Sequence, residues 1–320
     1  MIHSVLVTGG AGFIGSHLVE RLLAAGDRVT VIDNFNDFYD PALKRANVDP
    51  HRSFDNYTLF EGDVRDAVLV ERVFREGGFE QVIHLAAMAG VRPSVQNPVL
   101  YHDVNLIGTM NILENMRRYS VPRLIFASSS SVYGNNAKVP FAETDPVDNP
   151  ISPYAATKKA GELMTYTYHH LYGIKTVCLR FFTVYGPRQR PEMAIHKFTD
   201  RICRGDEIEV YAEGRSRRDY TYIDDIIDGI MAARQLDCGH EIINLGRSDT
   251  VTLTDLISVI ERALGKKAKT RLLPPQPGDV KQTFADITKA RKLLGFDPKM
   301  SISEGIGKFV SWYFEKRGAK

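Results

Sequence analysis

Between residue 4 and about residue 183, short apolar runs rich in Val, Ile and Leu alternate with longer segments whose apolar residues recur at helical spacing. Near-continuous apolar runs suit strands buried on both faces, and the helical segments suit crossovers between them, so the pattern predicts a parallel sheet. The runs cover 4–8, 28–33, 57–61, 81–86, 123–128 and 175–181. Helices are predicted over 13–25, 66–75, 99–119 and 153–172, each closing near a Gly, a Pro or a basic residue. Six strands suffice for a doubly wound α/β sheet with right-handed crossovers. After Phe182 the pattern becomes irregular, broken by Pro187, Pro191, Gly205, Gly214 and the Pro274, Pro275, Pro277 cluster. The expectation is a first domain over 1–182, completed by 223–248, and a smaller C-terminal substrate-binding domain formed mainly by 183–320.

Composition narrows the class. The 320 residues are 43% hydrophobic and 25% charged, enough to bury a full core and incompatible with wholesale disorder. Forty-one Lys and Arg against 39 Asp and Glu leave a net charge of +2, too little field for nonspecific nucleic-acid binding. Cys178, Cys203 and Cys238 are too few and too scattered for a disulfide framework or a paired-cysteine zinc site. His169 and His170 lack partners at metal-ligand spacing, so no metal is expected. With neither a leader nor a long apolar span in evidence, the expectation is a cytoplasmic protein with no membrane partner.

Candidate chemistry begins at TGGAGFIG, residues 8–15, between the first run and the first helix. Gly9 permits a tight turn, Gly12 lets backbone approach a pyrophosphate, and Gly15 lets helix pack on strand. The helix start at Phe13 and Ile14 supplies unpaired amides and a favourable dipole. Eighteen residues past Gly15, the second run ends in Asp33, whose carboxylate suits ribose hydroxyls and repels a 2′-phosphate, which makes the cofactor NAD. A turn-capping role for Asp33 with Asn34 is the alternative. Asp63 and Val64 suit adenine, although Asp63 equally suits a helix cap near Asp66. Leu85, Ala86 and Ala87, at the end of the fourth run, complete the expected cofactor contacts.

Tyr154 and Lys158 are four apart, on one face of a helix opened by Ser152 and Pro153. An ammonium about 4 Å from a phenolate at an effective dielectric near 20 is worth roughly 4 kcal/mol, enough to bring a tyrosine toward about 7. Such a phenol can take a proton from an alcohol. Any surface helix can carry this pair by chance. The fifth run, however, leads into four hydroxyls, Ser128, Ser129, Ser130 and Ser131, where ligands of open α/β sheets bind; a plain polar loop is the other reading.

Together TGGAGFIG, SSSSVYG, SPYAATK at 152–158 and RFFTVYGPRQRP at 180–191 resemble the extended short-chain dehydrogenase/reductase superfamily, in particular its nucleotide-sugar epimerases. NFNDFYDPALKRANV at 34–48 and RFFTVYGPRQRP are most similar to UDP-glucuronate 4-epimerases. The resemblance implies a Rossmann-type fold, bound NAD, and Ser129 joining Tyr154 and Lys158 as the catalytic set. It implies a transient 4-keto sugar on the way from UDP-glucuronate to UDP-galacturonate. Arg218 and Asp279 fall at diphosphate and uridine-ribose positions, and Arg92 is a candidate contact of the sugar nucleotide. Ser130, Ser131, Thr183 and Arg190 are the candidates for holding the sugar carboxylate. Related dehydratases and decarboxylases carry acidic residues where Ser130 and Ser131 stand. Alternatives are a UDP-glucose or UDP-N-acetylglucosamine 4-epimerase, or a nonenzymatic NAD-binding regulator. By the same resemblance, the helices over 99–119 and 153–172 would pair with a twin's as a four-helix homodimer interface.

Overall fold

The computed structural model describes residues 3–274 and 280–318. All six expected runs are strands: β1 (Ser4–Thr8), β2 (Arg28–Asp33), β3 (Tyr57–Glu61), β4 (Gln81–His84), β5 (Arg123–Ser129) and β6 (Lys175–Phe181). Their side chains alternate between two buried faces, with Val5 and Val7 in one apolar cluster and Leu6 in another. Helices α1 (Phe13–Ala24), α2 (Pro41–Val48), α3 (Ala67–Gly77), α4 (Val91–Gln96), α5 (Pro98–His102), α6 (Gly108–Arg118) and α7 (Pro153–Tyr172) connect them. The short α2 and α4 were not predicted, because eight and six residues carry too little periodicity to register. The helix expected over 99–119 is interrupted by a π turn at Asp103–Ile107. That widened turn carries buried Asn105, which accepts from the Met88 amide at 2.8 Å and donates to Met88 O and Thr157 Oγ1 at 3.0 Å.

In the second half, β7 (Thr183–Tyr185) pairs with β10 (Tyr220–Tyr222) and β8 (Glu207–Tyr211) with β13 (Lys269–Leu273), both parallel. Strand β9 (Arg217–Arg218) runs antiparallel to β12 (Val251–Thr252). Helices α8 (Ala194–Arg204), α9 (Ile223–Ala233), α10 (Leu253–Leu264), α11 (Thr288–Leu294) and α12 (Ile302–Lys316) complete this half. Strand β11 (His240–Leu245) returns to pair with β6. The result is a seven-stranded sheet of order β11-β6-β5-β4-β1-β2-β3, parallel throughout. The apolar cluster on one face runs from Val5 and Val7 through Ile226 and Ile230 to Phe309, so the two halves share one core.

The winding reverses between β1 and β4, which opens a crevice at the carboxyl ends of those strands. There Thr8 lies opposite His84. The Thr8 hydroxyl hydrogen-bonds His84 Nδ1 at 2.7 Å, and Thr109 Oγ1 meets Nε2 at 3.0 Å. Burial, with Lys158 adding to it, takes His84 down to about 3, so it stands as a neutral bridge beneath the crevice. Among the described residues no helix is long and apolar enough to cross a membrane.

Candidate active site

A crevice of about 340 Å³ lies at this switch point. Its floor is the glycine loop. Gly9 adopts a φ of +73°, and a Cβ there would come within 2.8 Å of the Ala86 amide; one on Gly15 would come within 2.1 Å of Gly9 O. Neither position admits a side chain. Gly12 caps α1 without any side-chain bond, and the first turn carries no acidic residue. The amides at the start of α1 therefore face the crevice with the helix dipole behind them, a donor set that fits the pyrophosphate of a dinucleotide. Phe13, Ile14 and Gly15 line it, as do Leu85, Ala86 and Ala87.

Asp33 lines the adenosine end but is already engaged. Its Oδ2 accepts from the Ala11 amide and its Oδ1 from the Phe35 amide, both at 3.0 Å. The carboxylate thus pins the glycine loop and turns the chain, and each oxygen keeps acceptor capacity for a ribose hydroxyl. Burial pushes its carboxyl up, against the Phe35 amide and the Lys44 charge. Asp63 is not the helix cap; Asp66 is, accepting from Val68 and Leu69 amides at 3.0 Å. Burial would raise Asp63, but the Arg65 side chain and amide and the Asn34 amide group hold it down at about 2. Asn34, Asp63 and Val64 all line the crevice. Sequence reasoning missed Asn36, Phe38, Tyr39 and Lys44, which line it as well. Lys44 is buried, donating to Asn36 O and Oδ1 at 2.8 Å. Their only signal was the 34–48 segment, which carries no clear helical or strand period.

Helix α7 delivers the reactive pair. Ser152 caps it by accepting from the Ala155 amide at 3.1 Å, and Pro153 supplies the first turn. Tyr154 then meets Tyr101 edge-on, with ring centroids 6.2 Å apart. Ser129, the last residue of β5, stands beside the Tyr154 phenol and draws it down, while its own Oγ accepts from the Ser131 amide at 3.1 Å. Lys158 is buried, its Nζ donating to Ala127 O at 2.7 Å. Burial brings that ammonium down to about 8. Tyr154, Lys158, Ser129, Ser130 and Ser131 all line the crevice.

The expected lowering of the Tyr154 phenol by Lys158 is not borne out. Burial pushes Tyr154 up, and the opposing pulls come from the Ser129 side chain and the Arg190 charge. Four residues on a helix bring two side chains to one face, but here the ammonium is committed to a strand carbonyl. Ser128 is a second correction to the four-hydroxyl reading. It lines the crevice, but its hydroxyl is already engaged, donating to buried Glu162 Oε1 at 2.6 Å.

A sequence profile described as GDP-mannose 4,6 dehydratase matches residues 6–309. The chain belongs to that family. A UDP-glucuronate 4-epimerase from Thermodesulfobacterium geofontis is 45% identical over 308 residues, spanning 96% of this chain and 95% of its own. Among solved structures, UDP-glucuronic acid 4-epimerase from Bacillus cereus, in complex with UDP-glucuronic acid and NAD, superposes with a TM-score of 0.91 at 35% identity. Coverage there is 98% of this chain and 99% of that one. UDP-glucose 4-epimerase from Thermotoga maritima, with UDP-glucose, gives 0.91 at 35% identity over the same 98% and 99%.

In this member of the family, Thr183 and Arg190 line the far wall of the crevice. Arg190 Nε lies 3.1 Å from Glu192, and the guanidinium lies 5.6 Å from the Phe38 ring. Arg92 and Arg218 are not among the lining residues. Arg92 lies 4.9 Å over the Tyr211 ring of β8, and Arg218 donates to Arg217 O at 2.9 Å and Lys281 O at 3.4 Å. Asp279 lies outside the described residues. Among the described residues no group of His, Cys, Asp and Glu could hold a metal ion.

Proposed function

We propose that this protein catalyses the NAD-dependent 4-epimerisation of a UDP-sugar, UDP-glucuronate to UDP-galacturonate, through a transient 4-keto sugar. One observation carries the reading: a single crevice holds the uncapped glycine-loop helix and the Ser129, Tyr154, Lys158 set. NAD bound there would accept a hydride from carbon 4 and return it to the opposite face. With the positive charge of the oxidised nicotinamide beside it, Tyr154 as phenolate would take the proton of the 4-hydroxyl while Ser129 hydrogen-bonds the same oxygen, and Tyr154 would return the proton when the carbonyl is reduced. Lys158, fixed by Ala127 O, sets a positive charge beside the reacting end. Arg218 and Asp279 anchor the diphosphate and uridine ribose, so the sugar turns about the phosphoanomeric linkage while UDP stays.

With glucuronate the intermediate is a β-keto acid, which loses carbon dioxide when its carboxylate aligns with the carbonyl π-system. Arg190, Thr183, Ser130 and Ser131 hold that group out of alignment, Arg190 through a charge-assisted bond. The hydroxyls of Ser130 and Ser131 offer no acid or base there for dehydration or decarboxylation, although the family profile is named for a dehydratase.

In this reading residues 1–182 with 223–248 bind the dinucleotide, and the remainder of 183–320 mainly binds the sugar nucleotide. The working unit is a homodimer formed through α7 and through α6 with the π turn before it, where Ile107, Met110, Leu163 and Tyr166 present an exposed apolar face. It works in the cytoplasm, in keeping with three cysteines that form no disulfide. The test is to incubate purified protein, without added cofactor, with UDP-glucuronate, UDP-glucose and UDP-N-acetylglucosamine in turn and read products by proton NMR. UDP-galacturonate from the first substrate, with little turnover of the others, is expected; preference for either neutral sugar overturns the substrate assignment.

A further inference from the structure

Arg190 closes a loop, 186–190, that follows Thr183 of β7 and whose conformation is unusual. Gly186 takes a φ of +144° and Arg188 a φ of +64°, the left-handed region that non-glycine residues avoid. Arg188 Nη1 is also buried without a hydrogen-bond partner. Strain and desolvation of this kind persist only where surrounding structure imposes them. What imposes them here is α1. Glu20 accepts from Arg188 Nη2 at 2.5 Å, and His17 Nε2 donates to Pro187 O at 3.0 Å. His17 also meets the ring of Phe13 edge-on at 6.0 Å, and Phe13 lines the cofactor end of the crevice. Positions 13, 17 and 20 share one face of the helix.

We propose that Glu20 and His17 are positioning residues for the sugar-end loop: the helix whose N-terminus faces the pyrophosphate also sets Arg188, and through it the register of Arg190. The inference rests on the carboxylate role given to Arg190 above. From the other side the loop is closed by its own bonds, Gln189 Nε2 to Val184 O at 3.1 Å and Gln189 N to Gly186 O at 3.1 Å, with His196 Nδ1 on Gln189 O at 2.7 Å. Those bonds fix the shape of the loop, and the α1 contacts fix where it stands relative to the cofactor site.

The test uses Glu20→Gln and Arg188→Gly, assayed with UDP-glucuronate and UDP-glucose. Arg188→Gly is informative because it relieves the backbone while removing the ion pair, so a purely structural role predicts no loss. The expected result is a KM for UDP-glucuronate raised about fivefold or more with kcat within about twofold, a lower preference over UDP-glucose, and unchanged bound NAD. The charge-swapped pair Glu20→Arg with Arg188→Glu should recover part of the loss. Unchanged KM and preference in both single variants overturn the proposal. Arg190→Gln separates the two readings: if it abolishes the preference while the Glu20 and Arg188 variants keep it, the positioning role is wrong and the carboxylate role stands. If Arg190→Gln keeps the preference while the others raise KM, the carboxylate role is wrong, and the positioning role falls with it, because the loop then acts on the substrate without Arg190.

Discussion

Tyr154 stands between two opposing influences, burial raising its phenol and Ser129 with Arg190 lowering it. Replacing Tyr154 by Phe removes the proton acceptor and leaves the ring, so turnover of UDP-glucuronate should fall by about 10²- to 10⁴-fold with KM little changed. Steady-state kinetics checks this. His84 gives a pH test of the crevice floor. Its folded value, about 3, lies below the ordinary 6.5, so the unfolded chain binds more protons between those limits. Stability therefore rises with pH through that window and is lost as pH falls from 6.5 toward 3. Between pH 7 and pH 5 the loss from this residue should be about 2 kcal/mol, and urea unfolding of His84→Gln should show a flatter acid limb. Among single residues, spacing made the glycine turn and the shared helix face of Tyr154 and Lys158 legible, because it determines which residues share a turn or a face, whereas Ser129 was legible only through the family resemblance. The sequence hid the direction of the Lys158 ammonium and the bonds of Ser128, which depend on the facing strand and on Glu162.

Helix α7 carries Tyr154 and Lys158 and is held to the sheet by two close fits. At Gly161 a Cβ would lie 2.3 Å from the Phe126 ring, so the helix rests directly on β5. One turn beyond Lys158, Glu162 receives Arg180 Nε at 2.8 Å and Nη2 at 2.9 Å, with both side chains 1% exposed. Substituting Glu162 by Ala strands the guanidinium and should cost about 3–5 kcal/mol, read as a lower midpoint in denaturant. Gly161→Val should lower kcat as well as stability, because it displaces the helix that carries Tyr154 and Lys158 away from Ser129 on β5. The first six strands were readable to within two residues, most of them because both faces are buried and edge strand β3 through its Tyr57, Leu59 and Phe60. Helices α2 and α4 were not, since each is short and has too few buried positions to set a period. The π turn at Asp103–Ile107 was equally hidden, because the apolar pattern runs through it while Asn105 reaches across to Met88 and Thr157.

At the scale of the whole molecule, the doubly wound sheet and the return of β11 to β6 put every expected cofactor residue on one crevice, with the sugar-end residues Thr183 and Arg190 facing it from the second half. The parallel pattern made the sheet legible, but the small strand pairs of the second half were not, because β9 and β12 are two residues each. The exposed apolar residues on α6 and α7 lead to a quaternary prediction. Leu163, 57% exposed, replaced by Arg should convert a dimer to a monomer in analytical ultracentrifugation. In the proposed reaction one carbon of the sugar is oxidised and reduced within a single closed cycle, with Tyr154 moving the proton. Purified protein with no added cofactor, given UDP-glucuronate deuterated at carbon 4, should yield UDP-galacturonate that keeps the deuterium on that carbon. Loss of the label to water, or no epimerised product, would contradict the account.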